Sequence, residues 1–223
     1  ALTLGRKNVE VSLFLSHHGV DASVDSLTNT ISSFAESGYH RTESELQKKH
    51  AVKYSMTGLN ISQRFKICNV GFTHISHFFD KEIATSPALY NYFIATGRYF
   101  SYSGAYLFCN LKKIDFFAET GINNNFKKVL YFGSEVQLVN NIQVASYYKI
   151  TENGYQARYI TNLATAGSKE LFWSVQYNVD TNWTFACSQS LMKSLWLTYR
   201  FDGLTWQNRL QCSVIRKIQS SAS

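Results

Sequence analysis

The feature of this sequence that most constrains its fold is a two-residue alternation of apolar with small or polar side chains. In the segment 9–16 (VEVSLFLS) the odd positions are all apolar, and the segment 171–177 (LFWSVQY) repeats the pattern. Successive side chains of a β-strand point to opposite faces, so a period of two predicts strands with two unlike faces. The pattern predicts about ten strands, in the segments 9–16, 52–57, 68–73, 101–106, 114–119, 130–138, 142–149, 171–177, 183–188 and 204–214.

The connections between these segments alternate strictly in length. Short polar turns are expected at 62–64, 110–112, 139–141 and 180–182. Longer connections are expected at 17–49, 79–98, 122–127, 151–168 and 189–203. An up-and-down barrel in an outer membrane has short turns at one rim and longer loops at the other, whereas Greek-key crossings in a sandwich do not produce this rhythm. The sequence therefore predicts an all-β, antiparallel, up-and-down transmembrane β-barrel.

Composition narrows the alternatives. The chain is 15% aromatic and only 17% charged, which excludes a disordered chain. No apolar run approaches the ~20 residues that a membrane-spanning helix needs.

In a membrane barrel the apolar face of each strand contacts lipid, and the small or polar face lines the lumen. The predicted lipid-facing residues are Val11, Leu13, Phe116, Phe132, Val144, Trp173, Val175 and Phe185. A soluble core rich in aromatic residues is the competing interpretation.

The excess of basic residues does not point to nucleic acid. The formal net charge is +7, from 22 Lys and Arg against 15 Asp and Glu. Nucleic-acid binders concentrate such an excess in a patch or stripe. Here much of it comes as isolated pairs, most of them where turns are expected: Arg6-Lys7, Lys48-Lys49, Lys112-Lys113, Lys127-Lys128 and Arg216-Lys217. Nucleic acid is therefore not a predicted partner.

No set of residues has the spacing that catalysis or metal binding requires. The cysteines lie far apart without a CxxC pair, so free thiols are expected: Cys68, Cys109, Cys187 and Cys212. His74 and His77 are three apart, which places them on opposite faces of a strand and makes a poor metal site. No serine or aspartate nucleophile is paired with a histidine base. We therefore predict no enzyme activity, no catalytic residues, no cofactor and no metal.

Two local features predict structure inside the barrel and at its loop rim. Asp115 and Glu119 share one face of a strand, and with Glu135 and Lys149 on neighbouring strands they are expected to form a luminal charge network. Such networks brace barrel interiors. In the long segment 17–49, Thr42 followed by Glu45 matches a capping box and predicts a short helix.

Several segments carry a resemblance to a known group of proteins. The stretch 37–45 (SGYHRTESE), followed by 48–51 (KKHA), is similar to a G-hydrophobe-H-R-T-x-x-E loop. That loop occurs in large outer-membrane β-barrels of Bacteroidota that carry an N-terminal helix-hairpin-helix domain. The stretches 155–159 (YQARY), 182–185 (NWTF) and 196–202 (WLTYRFD) resemble further segments of the same barrels, in the same order. Nothing in this chain resembles the helix-hairpin-helix part.

The resemblance implies a bacterial outer-membrane location and no catalytic residues. It also implies that residues 1–223 form one barrel domain that is a portion of a longer chain. The expected role is a structural or accessory subunit of an envelope complex for secretion, outer-membrane assembly or surface export. The expected partners are outer-membrane lipid and other envelope proteins. Two alternatives stay open: a passive pore for small solutes, and a soluble β-barrel that binds an apolar ligand.

Overall fold

The computed structural model describes residues 1–35, 38–84, 89–155, 167–180, 182–197 and 203–216. Most of these residues form strands. The strands are β1 (Leu2–Arg6), β2 (Val9–Val20), β3 (Ala22–Val24), β4 (Ile31–Phe34), β5 (Val52–Arg64), β6 (Cys68–Ile83), β7 (Gly97–Leu111), β8 (Ile114–Asn123), β9 (Lys128–Val139), β10 (Ile142–Thr151), β11 (Ser168–Asn178), β12 (Trp183–Ser194) and β13 (Trp206–Arg216). The described helices are α1 (Glu43–Lys48) and a single 3-10 turn (Leu89–Asn91).

All thirteen strands belong to one sheet. Its path is β1-β2-β5-β6-β7-β8-β9-β10-β11-β12-β13, and every neighbouring pair on this path is antiparallel. Strands β3 and β4 form a hairpin beside this path, and β4 contacts β6 through one parallel bridge between Ile31 and Ile83. The path begins at β1 and ends at β13, so the described sheet is open. The all-β, antiparallel, up-and-down prediction is confirmed at this level.

The connections sort onto two rims, as their lengths predict. The turn rim joins β1 to β2, β5 to β6, β7 to β8, β9 to β10 and β11 to β12. The loop rim joins β2 to β5, β6 to β7, β8 to β9, β10 to β11 and β12 to β13. The strand count is a correction, because the alternation reveals only about ten strands. The missed strands have only three to five residues, too few for an alternation to stand out: β1 contains Gly5, and β3 and β4 are serine-rich pieces. The predicted turn at 62–64 is also wrong, since β5 continues to Arg64.

The capping box is confirmed. The Glu45 amide donates to Thr42 Oγ1 at 3.3 Å, and the Thr42 amide donates to Glu45 Oε2 at 3.1 Å. Both bonds satisfy amides that the first turn of a helix leaves unpaired. Helix α1 thus begins where the sequence predicts, inside the longest connection of the loop rim.

The hydrophobic core is small and lies at the loop rim. Its fully buried side chains come from the β3–β4 hairpin and from the loop-rim ends of β5, β6 and β7: Ala22, Ile31, Val52, Tyr54, Phe79, Ile83 and Phe100. We call this set the loop-rim core. Phe79 is at its centre, with ring centroids 5.0 Å from Tyr54, 5.6 Å from Phe34 and 6.1 Å from Phe100. The hairpin therefore covers one end of the sheet.

Some predicted features fall on residues outside the described ranges. These are Ser37 in the first resembling stretch, 156–159 in the second, 198–202 in the last, Thr181 in the predicted turn at 180–182, and Lys217 in the last basic pair.

Candidate functional site

The sheet has two chemically distinct faces, which the register of its strands defines. Directly opposite residues of antiparallel strands project on the same side. One row of such partners runs Val136, Val144, Val175, Cys187, Cys212 across five strands. We call the side that carries this row the apolar face, and the opposite side the polar face. The structure places every predicted lipid-facing residue on the apolar face: Val11, Leu13, Phe116, Phe132, Val144, Trp173, Val175 and Phe185.

The apolar face is the more exposed of the two. In β11, Leu171, Trp173 and Tyr177 are 46%, 37% and 41% exposed, whereas the intervening residues of the polar face are half-buried. A sheet in a soluble protein buries its apolar face on a core and turns its polar face to water. Here the apolar face is the more exposed one and the polar face is half-buried. A sheet that curls toward its polar face produces this pattern, because side chains on the concave side lie closer together.

Aromatic rings on the polar face lie over glycines of the neighbouring strand. Phe14 is directly opposite Gly58, and its ring occupies the space where a Cβ of residue 58 would be. Tyr106 covers Gly71 in the same way. Phe117 and Tyr147 lie against Gly133 from its two sides. Because only a residue without a side chain leaves this room, the pairs favour one register, as aromatic cover of sheet glycines does in designed β proteins.

A continuous aromatic row crosses four strands of the polar face. Phe117 on β8, Tyr131 on β9, Tyr147 on β10 and Phe172 on β11 follow each other with ring centroids 5.1, 5.1 and 4.7 Å apart. Such spacings are those of favourable ring pairs. The row ends beside Glu170, a residue that sequence reasoning missed.

Glu170 joins three strands through hydroxyl donors. Tyr147 donates to Glu170 Oε1 at 3.0 Å, and Ser190 donates to the same oxygen at 2.8 Å. Glu170 is also directly opposite Lys149. The long connection between β10 and β11 conceals this pairing in the sequence, because its length leaves the register of the two strands undetermined.

The predicted luminal charges all lie on the polar face. Asp115 is directly opposite Glu135, and Tyr131 separates Glu119 from Lys149 in the same row. The amides of Asn110 and Gln143 donate to Asp115 and Glu135 respectively, the first at 2.5 Å. Across the described residues the one contact within 4.0 Å between an acidic and a basic side chain is His40–Asp21, at the loop rim. Neutral donors are therefore the observed partners of these two carboxylates, and a charge network through Lys149 stays a prediction.

His74 and His77 lie on opposite faces, as their spacing predicts. The His74 ring on the apolar face contacts the hydroxyls of Ser103 and Ser76 at 2.8 and 3.0 Å. The buried His77 ring on the polar face contacts the hydroxyl of Tyr54 at 2.7 Å. Within the ranges that the structure describes, no group of three His, Cys, Asp or Glu residues is arranged to hold a metal ion.

Asp21 ties the start of the β3–β4 hairpin to both ends of the α1 segment. Its carboxylate accepts the His50 amide at 2.8 Å and lies 2.6 Å from the Nε2 of His40. The backbone bond from His50 lowers the pKa of Asp21, partial burial opposes that effect, and the hydrogen bond with His40 lowers the pKa further.

The expectation of four free thiols is wrong. Cys68 and Cys109 are directly opposite on β6 and β7 and form a disulfide. They are separated by 41 residues of sequence, so only the strand register brings them together. Cys187 and Cys212 are free.

Comparison with known proteins adds no relative. No protein family matches this chain, and no curated protein is similar to it. Among the described helices, none has the length and apolar character to cross a bilayer.

Proposed function

We propose that this chain forms part of the wall of a transmembrane β-barrel in a bacterial outer membrane and acts there as a non-enzymatic structural or accessory subunit of an envelope complex. The observation that carries the proposal is the reversed exposure of the sheet. An apolar face that the chain itself leaves exposed needs an apolar medium, because contact between water and that much hydrocarbon is unfavourable. Lipid is such a medium, and outer-membrane lipid is the proposed partner of this face.

The dimensions and the chemistry of the sheet support this placement. Strands β2 and β5 to β13 have 10 to 16 residues. A tilted membrane-spanning strand needs ~9–11. The Cys68–Cys109 disulfide fits an oxidising compartment such as the bacterial envelope. Short turns at one rim and longer loops at the other match outer-membrane barrels, and the resemblance to Bacteroidota barrels points to the same location.

The polar face favours a structural role. Rings held over glycines and the aromatic row brace neighbouring strands against each other. Three carboxylates of this face, those of Asp115, Glu135 and Glu170, accept hydrogen bonds from amides and hydroxyls of neighbouring strands. Such a wall maintains a shape and presents its rims to partners. The loop rim, with the β3–β4 hairpin and α1, is the proposed contact surface for other envelope proteins.

A passive pore is the second candidate, and one observation favours it. The rings over Gly58, Gly71 and Gly133 lie against the wall, so they line the polar face without projecting far from it. Small polar residues such as Ser174 and Ser188 lie opposite each other beside them. If further strands close the sheet into a barrel, the space that the polar face encloses is filled with water.

Isolation of the native protein tests these proposals in order. We expect it to resist extraction of membranes with carbonate or urea and to dissolve in mild detergent with other envelope proteins in fixed ratio. A barrel that purifies alone and conducts ions in a planar bilayer would support the pore instead. Recovery in the aqueous fraction without detergent would contradict the membrane placement and favour a soluble barrel with an apolar ligand.

A further inference from the structure

Two of the cysteines remain free although they face each other across neighbouring strands. Cys187 on β12 is directly opposite Cys212 on β13, and both project from the apolar face. The other two cysteines have the same relation on β6 and β7, and they are bonded. All the cysteines of the chain therefore fall into two cross-strand pairs on one face.

The hydrogen-bond pattern shows that Cys68–Cys109 and Cys187–Cys212 belong to the same class of cross-strand pair. Opposite residues of an antiparallel ladder alternate between hydrogen-bonded pairs, with Cα atoms ~5.5 Å apart, and non-hydrogen-bonded pairs at ~4.5 Å. The Asn110 amide donates to the Ile67 carbonyl at 2.8 Å, one step beyond Cys68–Cys109. That cysteine pair is therefore a non-hydrogen-bonded one, which agrees with its Cα separation of 4.0 Å.

The class of the Cys187–Cys212 pair follows in the same way from the ladder between β12 and β13. The Ser194 amide donates to the Thr205 carbonyl at 2.9 Å, which marks a hydrogen-bonded pair. Cys187–Cys212 lies seven residues along this uninterrupted register, an odd number. It is therefore a non-hydrogen-bonded pair too. A disulfide spans Cα atoms ~4.4–6.8 Å apart, and the ~4.5 Å of a non-hydrogen-bonded pair falls within that range, so the register brings the two cysteines within reach of each other.

We propose that Cys187 and Cys212 are the site of a second cross-strand disulfide, which attaches the edge strand β13 to the sheet. The reaction is thiol–disulfide exchange with a disulfide-bearing oxidant. The thiolate of one cysteine attacks the oxidant's disulfide, forms a mixed disulfide and releases one thiolate. The second cysteine thiolate then attacks the mixed disulfide, forms Cys187–Cys212 and releases the other thiolate. Two cysteine thiols are oxidised to one disulfide, and the oxidant's disulfide is reduced to two thiolates, which take up the two protons that the cysteine thiols lost on ionising.

The position of the pair gives the bond a structural consequence. Strand β13 is an edge of the described sheet, and nearly all of its residues are exposed. An edge strand has a neighbour on one side only and separates more easily than an interior strand. A covalent link to β12 would keep β13 in register and its free edge extended for pairing with a further strand. This inference does not depend on the membrane proposal, because it follows from register alone.

Peptide mapping of the full chain tests the proposal. The protein is folded in a buffer of reduced and oxidised glutathione, free thiols are alkylated, and trypsin digestion follows without reduction. Cleavage after Lys and Arg places the four cysteines in separate peptides, 67–81, 99–112, 170–193 and 210–216. We expect two linked products, 67–81 with 99–112 and 170–193 with 210–216. Alkylated 170–193 and 210–216 beside a linked first pair would overturn the proposal, as would a link from either peptide to Cys68 or Cys109.

Two variants make the test independent of the first disulfide. In Cys68→Ser/Cys109→Ser the remaining cysteines should still link, and failure to do so contradicts the proposal. In Cys212→Ser/Ser213→Cys the thiol moves one residue to the polar face, opposite Ala186. We expect the linked product to fall at least tenfold there. Equal linking in this variant and in the natural chain would mean that proximity in sequence or in an unfolded state, rather than register, joins the cysteines.

Discussion

The loop-rim core and the strands β8 to β13 are stabilised in different ways. Every described hydrophobic side chain that is buried belongs to the loop-rim core, apart from Tyr155. In β8 to β13 no hydrophobic side chain is buried, although these strands carry large apolar residues such as Phe132, Trp173 and Phe185. The first region buries apolar surface against itself. In the second region each strand is paired with its neighbours, but the apolar surface is left for something else to cover, so the stability of this region depends on the surrounding medium.

The largest difference in unfolding free energy should appear between substitutions of two adjacent phenylalanines of β6. Phe79 is fully buried in the loop-rim core, whereas its neighbour Phe78 projects from the other face and is 49% exposed. Removing a buried phenylalanine ring costs about 3–5 kcal/mol, because the transfer free energy is lost and a cavity remains. We expect Phe79→Ala to lower the free energy of unfolding by that amount in a urea titration of the full chain in detergent. Phe78→Ala is the control, and an equal loss in both would mean that the loop-rim core is not a core.

A second pair of substitutions tests the medium around the other region. Val175 lies on the apolar face near the centre of β11, and Gln176 lies next to it on the polar face. A charge at the midplane of a lipid-facing strand costs about 2–4 kcal/mol. We expect Val175→Arg to destabilise the protein by that amount in a folding titration into lipid, and Gln176→Arg to be tolerated. Equal effects would remove the basis for assigning the two faces to different media.

A third pair tests how the polar face fixes the register. In Gly58→Ala the new methyl group has to displace the Phe14 ring, which is directly opposite. Overpacking of this kind costs about 1–3 kcal/mol. Gly5→Ala is the control, because its methyl group would meet only the Val9 carbonyl oxygen at 4.0 Å. The smaller side chain of Phe14→Leu, combined with Gly58→Ala, should recover part of the loss in the same titration. A loss in Gly58→Ala no larger than in Gly5→Ala would contradict the proposed role of the ring.

The period of two predicts which face a residue lies on, but not which residue lies opposite. Face assignment needs only the parity of a residue within its strand, so the sequence correctly separates the apolar residues from the charges Asp115 and Glu135 onto two opposite faces. Which residues lie opposite each other depends on where each turn begins, and a shift of one residue in the register changes every pair. For this reason the Cys68–Cys109 disulfide and the position of Glu170 beside Lys149 were not predictable from the sequence.

The loop rim was predictable only where local chemistry determines structure. The capping box of Thr42 and Glu45 acts within one turn of chain, so the sequence alone is enough to locate α1. Strands β3 and β4 contain few apolar residues in alternation, and their partners lie elsewhere in the sheet. The loop-rim core, which depends on this hairpin, therefore emerges only from tertiary packing.

The smallest expected effect is the pH dependence of stability that Asp21 causes at the loop rim. The pKa of Asp21 is lowered, chiefly by the hydrogen bond from the His50 amide. A carboxyl group with a depressed pKa in the folded protein binds its proton more readily in the unfolded chain. Its contribution to stability is therefore fully present above the usual aspartate pKa of about 3.9 and is lost as the pH falls through the lower, folded value.

Asp21→Asn should remove this pH dependence, because the amide does not titrate in this range. We expect the difference in unfolding free energy between the natural chain and the variant to shrink as the pH falls from about 5 toward 2, because the carboxylate is protonated over that range. Taking the difference cancels the titration of every other carboxylate that the two proteins share. A difference that stays constant down to pH 2 would mean that the His50 amide does not hold the Asp21 carboxylate in the folded state. The loop-rim core would then be joined to α1 by packing alone.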